Sequence, residues 1–419
     1  MNVYLQSLGC RLNRSEIEKM ARQFVATGCA VVAEPARAEV CVVNTCAVTA
    51  QAERKSRRSV RALARANPEA RIAAVGCYAT LAPSHCCALP GVAWVVPNAE
   101  KKHVVGRVIS ALPSQNGEGA CLAPLHTRAF VKIQDGCDNH CTYCIVRLLR
   151  GPSRSRSVDG IVAEVQVLVE AGCQEAVLTG VNLGSYGRDL GDSNGLYALV
   201  ETLLTHTDLP RLRLSSLEPW DVDEAFFDLW ENPRLCRQLH LPLQSGSDET
   251  LRRMGRRVTT AEFSRLVDAA RAVAPDIAVT TDVIVGFPGE DESAFRASCN
   301  FVTGVRFARL HVFPYSPRPG TAARRLPGQV ARRVRRERAR AMRELGARQA
   351  SRFCRRFVGR EMSVLWERRR RGGLWSGLTD NYLRVLAPAE RDLHNKLTPT
   401  RLLTVQNGHL IGEPMEQPA

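Results

Sequence analysis

Apolar and polar positions alternate along this chain in a rhythm that changes several times, and the changes divide it. Over residues 1 to 112, short apolar runs alternate with amphipathic stretches. Strands are expected at 3–8, 40–44 and 71–75, the second a run of valines around Cys41. A helix capped by Asn13 or Ser15 should run to Thr27 and stop at Gly28, and a basic helix should cover 49–66. This βαβαβ order implies a small parallel sheet. The polar, turn-rich Pro113-Ser114-Gln115-Asn116-Gly117-Glu118-Gly119 then opens a linker expected at 113–126.

From about residue 127 to 320 the alternation is longer. Strands are expected at 130–134, 176–178, 211–214, 238–243, 279–285 and 309–313, with amphipathic segments at 161–171, 196–204, 261–273 and 292–302. Six strands alternating with helices imply a partial (β/α)6 barrel, whose reactive groups belong on the loops at the strand C-termini. Polar sequence falls on those loops, as in Asp135-Gly136-Cys137, Thr179-Gly180-Val181-Asn182 and Ser215-Ser216-Leu217-Glu218. Residues 332–356 read as one arginine-rich helix that closes this unit at 356. Over 357–419 the period becomes two, with short strands expected at 362–366, 374–379, 382–386 and 401–407, which suggests a small β-barrel. The fold class is therefore α/β with a β-barrel appended.

Composition narrows the function. Hydrophobic residues make up 45% and no apolar run reaches the length of a membrane span. Met1-Asn2-Val3-Tyr4-Leu5-Gln6 lacks the basic start of a signal peptide, so a cytoplasmic location is expected. The 15 cysteines are odd in number and irregularly spaced, and in a reducing compartment they are metal ligands, catalytic groups or small core residues rather than disulfides. A net charge of +16 points to nucleic acid. The arginine-rich helix is either an RNA-facing stripe or a solvated face. Arg368-Arg369-Arg370-Arg371, expected in a loop beside Trp366 and Trp375, suits a single-stranded RNA platform, and the two tryptophans equally suit a barrel core.

Cys137-Asp138-Asn139-His140-Cys141-Thr142-Tyr143-Cys144 carries the sharpest signal. Three thiolates at this spacing can ligate three irons of a 4Fe–4S cluster and leave the fourth iron open, whereas electron-transfer ferredoxins close all four with cysteine. A zinc site would need a second paired arm, and the sequence has none. A second set is dispersed. Each expected N-terminal strand runs into a cysteine: Cys10, then Cys46 36 positions on, then Cys77 after a further 31. In a parallel sheet all strand C-termini share one edge, so these three should converge there. The alternative is three buried loop cysteines. Cys29, Cys41, Cys86, Cys87 and Cys121 do not share the placement, and Cys41 is expected in the core.

These residues resemble a known family. Gly9-Cys10-Arg11-Leu12-Asn13, Asn44-Thr45-Cys46 and Gly76-Cys77-Tyr78 look like the N-terminal domain of the radical S-adenosylmethionine methylthiotransferases. The stretch from Phe130 through Cys144, together with Gly151-Pro152-Ser153-Arg154, Leu241-Pro242-Leu243-Gln244-Ser245-Gly246 and Asp282-Val283-Ile284-Val285-Gly286-Phe287-Pro288-Gly289-Glu290, resembles their radical core. The C-terminal segment is similar to a TRAM domain, an RNA-binding β-barrel. The Gly-Cys-Arg-Leu-Asn form of the first motif is similar to the branch acting on N6-threonylcarbamoyladenosine beside the tRNA anticodon. Sister branches act on isopentenyladenosine in tRNA or on a ribosomal-protein aspartate.

The resemblance implies two 4Fe–4S clusters and S-adenosylmethionine as cofactors. The cluster on Cys137, Cys141 and Cys144 would reduce S-adenosylmethionine to a radical that attacks adenine C2, a position inert to acid–base chemistry. The cluster on Cys10, Cys46 and Cys77 would deliver a methylated sulfur. It further implies Tyr143, Gly180 and Ser216 as contacts to S-adenosylmethionine, with Asp282 either a polar site group or a structural acid. The partners implied are a tRNA anticodon stem-loop, a low-potential donor such as flavodoxin or ferredoxin, and a sulfur donor. The sequence departs from the family at Ile145-Val146-Arg147-Leu148-Leu149-Arg150-Gly151, where Ile-Ile-Pro-Tyr-Ala-Arg-Gly is usual, and the wall beside the cluster loop is affected. A non-catalytic RNA-binding metalloprotein is the alternative of another class, and paired three-cysteine sets argue against it, because structural metal sites are fully ligated by protein.

Overall fold

The valine run of the second expected strand lies at the centre of a five-stranded, wholly parallel sheet. Its strands are β1 (Asn2–Ser7), β2 (Ala30–Val32), β3 (Val40–Thr45), β4 (Arg71–Gly76) and β5 (Val92–Val96), in the order β2-β1-β3-β4-β5. Every residue of β3 is buried, because helices cover both faces, and a strand buried on both sides reads as an unbroken apolar run. The edge strands β2 and β5 are half-exposed and give no such run. The computed structural model describes residues 1–111, 127–370 and 372–415, so the linker expected at 113–126 lies outside the described residues.

Helix α1 spans Arg11–Ala26 and its N-cap is Cys10, not Asn13 or Ser15. Both expected caps sit inside the first turns and are buried. Asn13 is committed elsewhere. Its Nδ2 donates to the carbonyls of Leu8 (2.7 Å) and Thr45 (2.9 Å), which ties together the ends of β1 and β3. Helix α2, Ala50–Ala66, follows with Thr49 as its side-chain cap.

The six expected barrel strands are present as β6 (Arg128–Lys132), β9 (Glu175–Thr179), β10 (Arg211–Leu214), β11 (Gln238–His240), β12 (Ala278–Val285) and β13 (Arg309–Pro314). The short antiparallel pair β7 (Gln134–Asp135) and β8 (Arg154–Ser155) brackets the first loop. The barrel strands form two parallel triplets, β10-β9-β6 and β11-β12-β13, joined by the bridges Leu212–Leu235 and Ser216–His240. The barrel is therefore open, with β6 and β13 as its free edges. Helices Val158–Glu170, Gly195–His206, Thr260–Val273 and Glu292–Val305 cover its outside and bury the largest apolar cluster.

The C-terminal segment is a closed five-stranded barrel, ordered β14-β15-β16-β18-β17. Its strands are β14 (Glu361–Arg369), β15 (Leu374–Thr379), β16 (Arg384–Pro388), β17 (Leu397–Gln406) and β18 (His409–Pro414). The fifth strand was not expected. It pairs antiparallel with β17 and parallel with β16, and that closes the ring. Trp366 and Trp375 are 0% and 7% exposed, so the tryptophans are barrel core and not a base-stacking platform. Arg368 and Arg369 continue β14 rather than lying in a loop.

A buried charge network joins the first two units. Glu16 on α1 accepts from Lys101 (2.6 Å), Lys132 (2.9 Å) and Arg150 (3.0 Å), while Asp135 accepts from Lys132 (2.6 Å) and Arg150 (2.8 Å). Arg150 also donates to Asn13 Oδ1 at 2.7 Å. Burial alone would raise the Glu16 carboxyl, and Lys101, Arg150 and Lys132 reverse that and hold it well below the usual range. Burial opposes Arg150 and Lys132 in the same way at Asp135, whose carboxyl is also lowered. Glu16→Gln leaves three buried cations facing one carboxylate and is expected to cost about 3 kcal/mol in urea unfolding. The stability that these depressed carboxyls contribute is complete above the unfolded value of about 4 and is lost as pH falls through the folded values. Stability of the variant should therefore fall less steeply than the parent's below about pH 4. Parallel acid limbs in the two proteins would show that Glu16 is not ionised in the fold.

Candidate active site

The loop after β7 carries the clustered cysteines, and backbone contacts hold it on both sides. Gly136 has φ +73°, and a Cβ there would lie 1.8 Å from the Pro152 carbonyl oxygen, so only glycine lets this turn approach the 151–152 segment. Cys137 N donates to Gly151 O at 3.1 Å, and Thr142 N donates to Met254 O at 2.9 Å. Ala323 N in turn donates to Thr142 O at 2.9 Å. Cys137, Cys141 and Cys144 are partly buried and line one cavity of about 280 Å³. Burial pushes the Cys137 thiol up to about 11 and Cys144 up to about 12. It raises Cys141 as well, where the Arg256 guanidinium, 4.0 Å from the sulfur, opposes it.

The donor set suits an iron–sulfur group better than a single ion. Among the described residues no three His, Cys, Asp or Glu side chains converge tightly enough to grip one metal. The thiols instead ring a space, as one-thiolate-per-iron ligation requires. Asn139 and Asn182 also line that cavity, and Asn139 Nδ2 and Asn182 Oδ1 are shielded atoms with no hydrogen-bond partner. A spare donor and a spare acceptor beside three thiols match a polar ligand with amino and carboxylate ends.

The dispersed cysteines converge as expected. Cys10, Cys46 and Cys77 follow β1, β3 and β4, which are adjacent in the sheet. A Cβ on Gly9, at φ +90°, would meet Cys46 Sγ at 2.6 Å, so this glycine permits the first loop to reach the second cysteine. Cys10 opens into a cavity, though protein surrounds it further out, and burial raises its thiol against the pull of Arg150. Burial also pushes Cys46 up to about 11, with Cys77 and Cys10 adding repulsion. Asn98 Nδ2 donates to Cys77 Sγ at 3.5 Å.

The two sets face connected space. Cys10 and Cys46 line a second cavity of about 520 Å³, which shares Val48, Thr49, Ser216, Asp282 and Phe313 with the first. Asp282 sits between His240 Nε2 (3.5 Å) and His311 Nδ1 (3.4 Å), and these imidazoles outweigh burial and hold its carboxyl below the usual range. All three chain segments meet here. The C-terminal barrel contributes Tyr382, whose hydroxyl accepts from Arg11 at 3.0 Å. That barrel docks through Arg211, which donates to Leu378 O (3.1 Å) and Ser363 O (2.6 Å). It docks also through Arg213, which donates to Asp380 O (2.8 Å) while held by Glu175 at 2.8 and 2.9 Å.

Of the residues expected to contact a cofactor, Tyr143 and Ser216 line the cavity of the clustered cysteines, and Gly180 lines the adjoining one. The departure after Cys144 also has a place. Ile145 and Leu149 are buried in the N-terminal core beside Cys46 and Cys77, Arg150 enters the charge network, and Arg147 lines the first cavity in contact with His140. The loop carrying Glu218 was expected at the site, but its pairing with Arg256 (2.7 Å), the place of Arg256 over the Trp220 ring at 4.3 Å, and His240, His311 and Tyr382 were not. No local motif marks them. Only their position at or near strand ends on the cysteine side could have flagged the two histidines.

Residues 2–96 match the model of the uncharacterized protein family UPF0004, and residues 131–302 match that of the radical SAM superfamily. A protein of Thermotoga maritima named threonylcarbamoyladenosine tRNA methylthiotransferase MtaB is 38% identical over 91% of this chain and 90% of its own. A Bacillus subtilis protein of the same name is 34% identical over 96% and 93%. A tRNA-2-methylthio-N(6)-dimethylallyladenosine synthase of Pelobacter propionicus is 33% identical over 98% of each. Among solved structures, the radical S-adenosylmethionine methyltransferase TsrM of Kitasatospora setae superposes with a TM-score of 0.56 at 14% identity, covering 75% of this chain and 76% of its own, a likeness of fold.

Arg256 offers a direct test of the site's electrostatics. Arg256→Met keeps the bulk over Trp220 and removes the cation between Glu218 and Cys141. Because the cavity leaves Glu218 partly solvated, the loss of stability is expected to be about 2 kcal/mol, below the full cost of breaking a dry ion pair. Urea unfolding of the metal-free protein measures it, and an unchanged midpoint would mean that the pair contributes nothing to the fold.

Proposed function

The chain belongs to the radical S-adenosylmethionine methylthiotransferase family, and we infer that it adds a methylthio group to C2 of N6-threonylcarbamoyladenosine beside the tRNA anticodon. The observation that carries this reading is the pair of three-cysteine sets, one local and one assembled from three strand ends, with Cys137, Cys141 and Cys144 on one cavity and Cys10 and Cys46 on the adjoining one. In this reading Cys137, Cys141 and Cys144 hold the 4Fe–4S cluster that binds S-adenosylmethionine, and Cys10, Cys46 and Cys77 hold the second. When bound, these groups supply one-electron reduction, the sulfur and the methyl group.

The chain's own residues position and shield. Tyr143 packs edge-on against Phe287, with ring centroids 6.5 Å apart, and this fixes one wall of the cofactor cavity. Tyr143 and Ser216 on that wall, Gly180 on the adjoining cavity and the amides of Asn139 and Asn182 would hold S-adenosylmethionine. Arg256 balances the negative charge of the ligated cluster. The substrate base enters the cavity that Cys10 and Cys46 line, which requires it to be splayed out of the anticodon loop. Exposed arginines of the helix Arg332–Arg355 and the C-terminal barrel hold the phosphates. A low-potential flavodoxin or ferredoxin supplies electrons, a separate donor restores sulfur, and a tRNA substrate supports a cytoplasmic location. No helix among the described residues is long and apolar enough to cross a membrane.

Iron and sulfide analysis with EPR on anaerobically reconstituted protein tests the reading. The parent should hold roughly eight irons, and the Cys137/Cys141/Cys144→Ala and Cys10/Cys46/Cys77→Ala triple variants roughly four each. Nucleoside mass spectrometry of tRNA incubated with the parent should show the methylthio product, and neither variant should form it. A parent with only about four irons would reduce the protein to a one-cluster radical enzyme.

A further inference from the structure

The cavity that Cys10 and Cys46 line also carries arginines that pair with no carboxylate among the described residues. Arg11, Arg309, His311, Asp282 and Tyr382 line it. Asp282 lies 3.5 Å from His240 Nε2 and 3.4 Å from His311 Nδ1. The nearby Arg128 and Arg213 are matched by Glu367 and Glu175. Arg11 and Arg309 differ. Among the described residues neither lies within ion-pair distance of a carboxylate, and Arg11 spends a single donor, on the Tyr382 hydroxyl at 3.0 Å. Its guanidinium also lies over the Tyr382 ring, 5.4 Å from the centroid. Burial would raise that phenol, yet Arg11, Arg128 and Arg213 bring it down to about 8. Tyr382 itself has φ +67°, a costly backbone for a bulky residue, held in place by the docked barrel.

Guanidinium groups with free donors at a cavity wall select carboxylate or phosphate. The substrate proposed above supplies one of these. The threonylcarbamoyl substituent ends in a free carboxylate, whereas a dimethylallyl group at the same nitrogen is wholly apolar. N6 and C2 of adenine flank N1 on one edge, so a base with C2 at Cys10 and Cys46 holds its N6 substituent in the same cavity as Arg11 and Arg309. We propose that Arg11 and Arg309, with Tyr382 bracing Arg11, form the anion subsite that binds the carboxylate of the threonylcarbamoyl group and so sets substrate choice.

The inference rests on the substrate reading above, and its test separates the two. Methylthiolation is followed on an anticodon stem-loop RNA carrying threonylcarbamoyladenosine and on the same RNA with that carboxylate converted to its methyl ester. The parent should prefer the free acid by about 10- to 100-fold in kcat/KM, as loss of charge-assisted hydrogen bonds predicts. Arg11→Gln and Arg309→Gln, checked for folding by unchanged iron content, should each bring that ratio towards one, and Arg309→Lys should keep part of it. If both RNAs slow equally in the variants, the arginines meet phosphate and the subsite is refuted. A ratio unchanged from the parent refutes it too. A parent that modifies neither RNA overturns the substrate reading itself, and the subsite falls with it.

Discussion

Thiols carried by two separate sheets must face connected cavities at a fixed separation, and the buried charges around Glu16 set that separation. Glu16 and Lys101 come from the N-terminal sheet unit, whereas Lys132, Asp135 and Arg150 come from the barrel, and they interlock at 2.6–3.0 Å. A network of this kind contributes less to stability than an apolar contact of the same size would, because each ion is taken out of water. What it supplies is register. An apolar face tolerates sliding, and a carboxylate shared by three cations does not. Arg150 is one residue from the Gly151 carbonyl that accepts from Cys137 N, and its guanidinium reaches Asn13, three residues from Cys10. One side chain thus touches the supports of both cysteine sets.

The network also carries an excess of positive charge, three cations against two carboxylates. The excess lies where Cys10 and Cys77 act electrostatically on Arg150. Thiolates that ligate iron bring negative charge into this protein interior, and a built-in cation surplus lowers the cost of holding it. Arg256 stands to Cys141 in the same relation. Each cysteine set is therefore paired with a buried arginine that the fold had to accommodate anyway, since both arginines are anchored by carboxylates.

Much of this was legible in the sequence, and the misses share causes. The strands buried on both faces, β3 above all, announce themselves as apolar runs. The alternation of strand and helix fixes a parallel sheet and hence a common edge for Cys10, Cys46 and Cys77, distant as they are along the chain. The edge strands β2 and β5 escaped because an edge is half-exposed and has no distinctive period. Asn13 was misjudged as a cap because local pattern cannot show that Leu8 and Thr45 would compete for its amide. Trp366 and Trp375 satisfied two readings because an aromatic beside arginines looks the same whether it faces the solvent or the centre of a barrel. His240, His311 and Tyr382 could not be found locally at all, since their roles exist only once β11, β13 and the C-terminal barrel meet at one cavity.

The net charge of +16 is a poorer map of the RNA surface than it first suggests. Arg150, Arg211, Arg213, Arg256 and Arg338 are buried and act as struts, each tied to a carboxylate or to backbone carbonyls. On the long helix Arg335 donates to Tyr315 O at 2.6 Å, and Arg338 is held by Glu290 at 2.8 Å. The exposed Arg333 and Arg340, at 81% and 80%, each have a glutamate one turn on. Such exposed pairs are weak, so a phosphate can replace the glutamate at little cost. With the struts set aside, the exposed cations include Arg54, Lys55, Arg58 and Arg61 of α2 and those on the outer face of the long helix, while Arg11 and Arg309 line the cavity. Positioning by the first and selection by the second separates grip from choice, as in protein–nucleic acid contacts generally. Because Tyr382 of the C-terminal barrel accepts from Arg11, that barrel and the cavity are mechanically coupled.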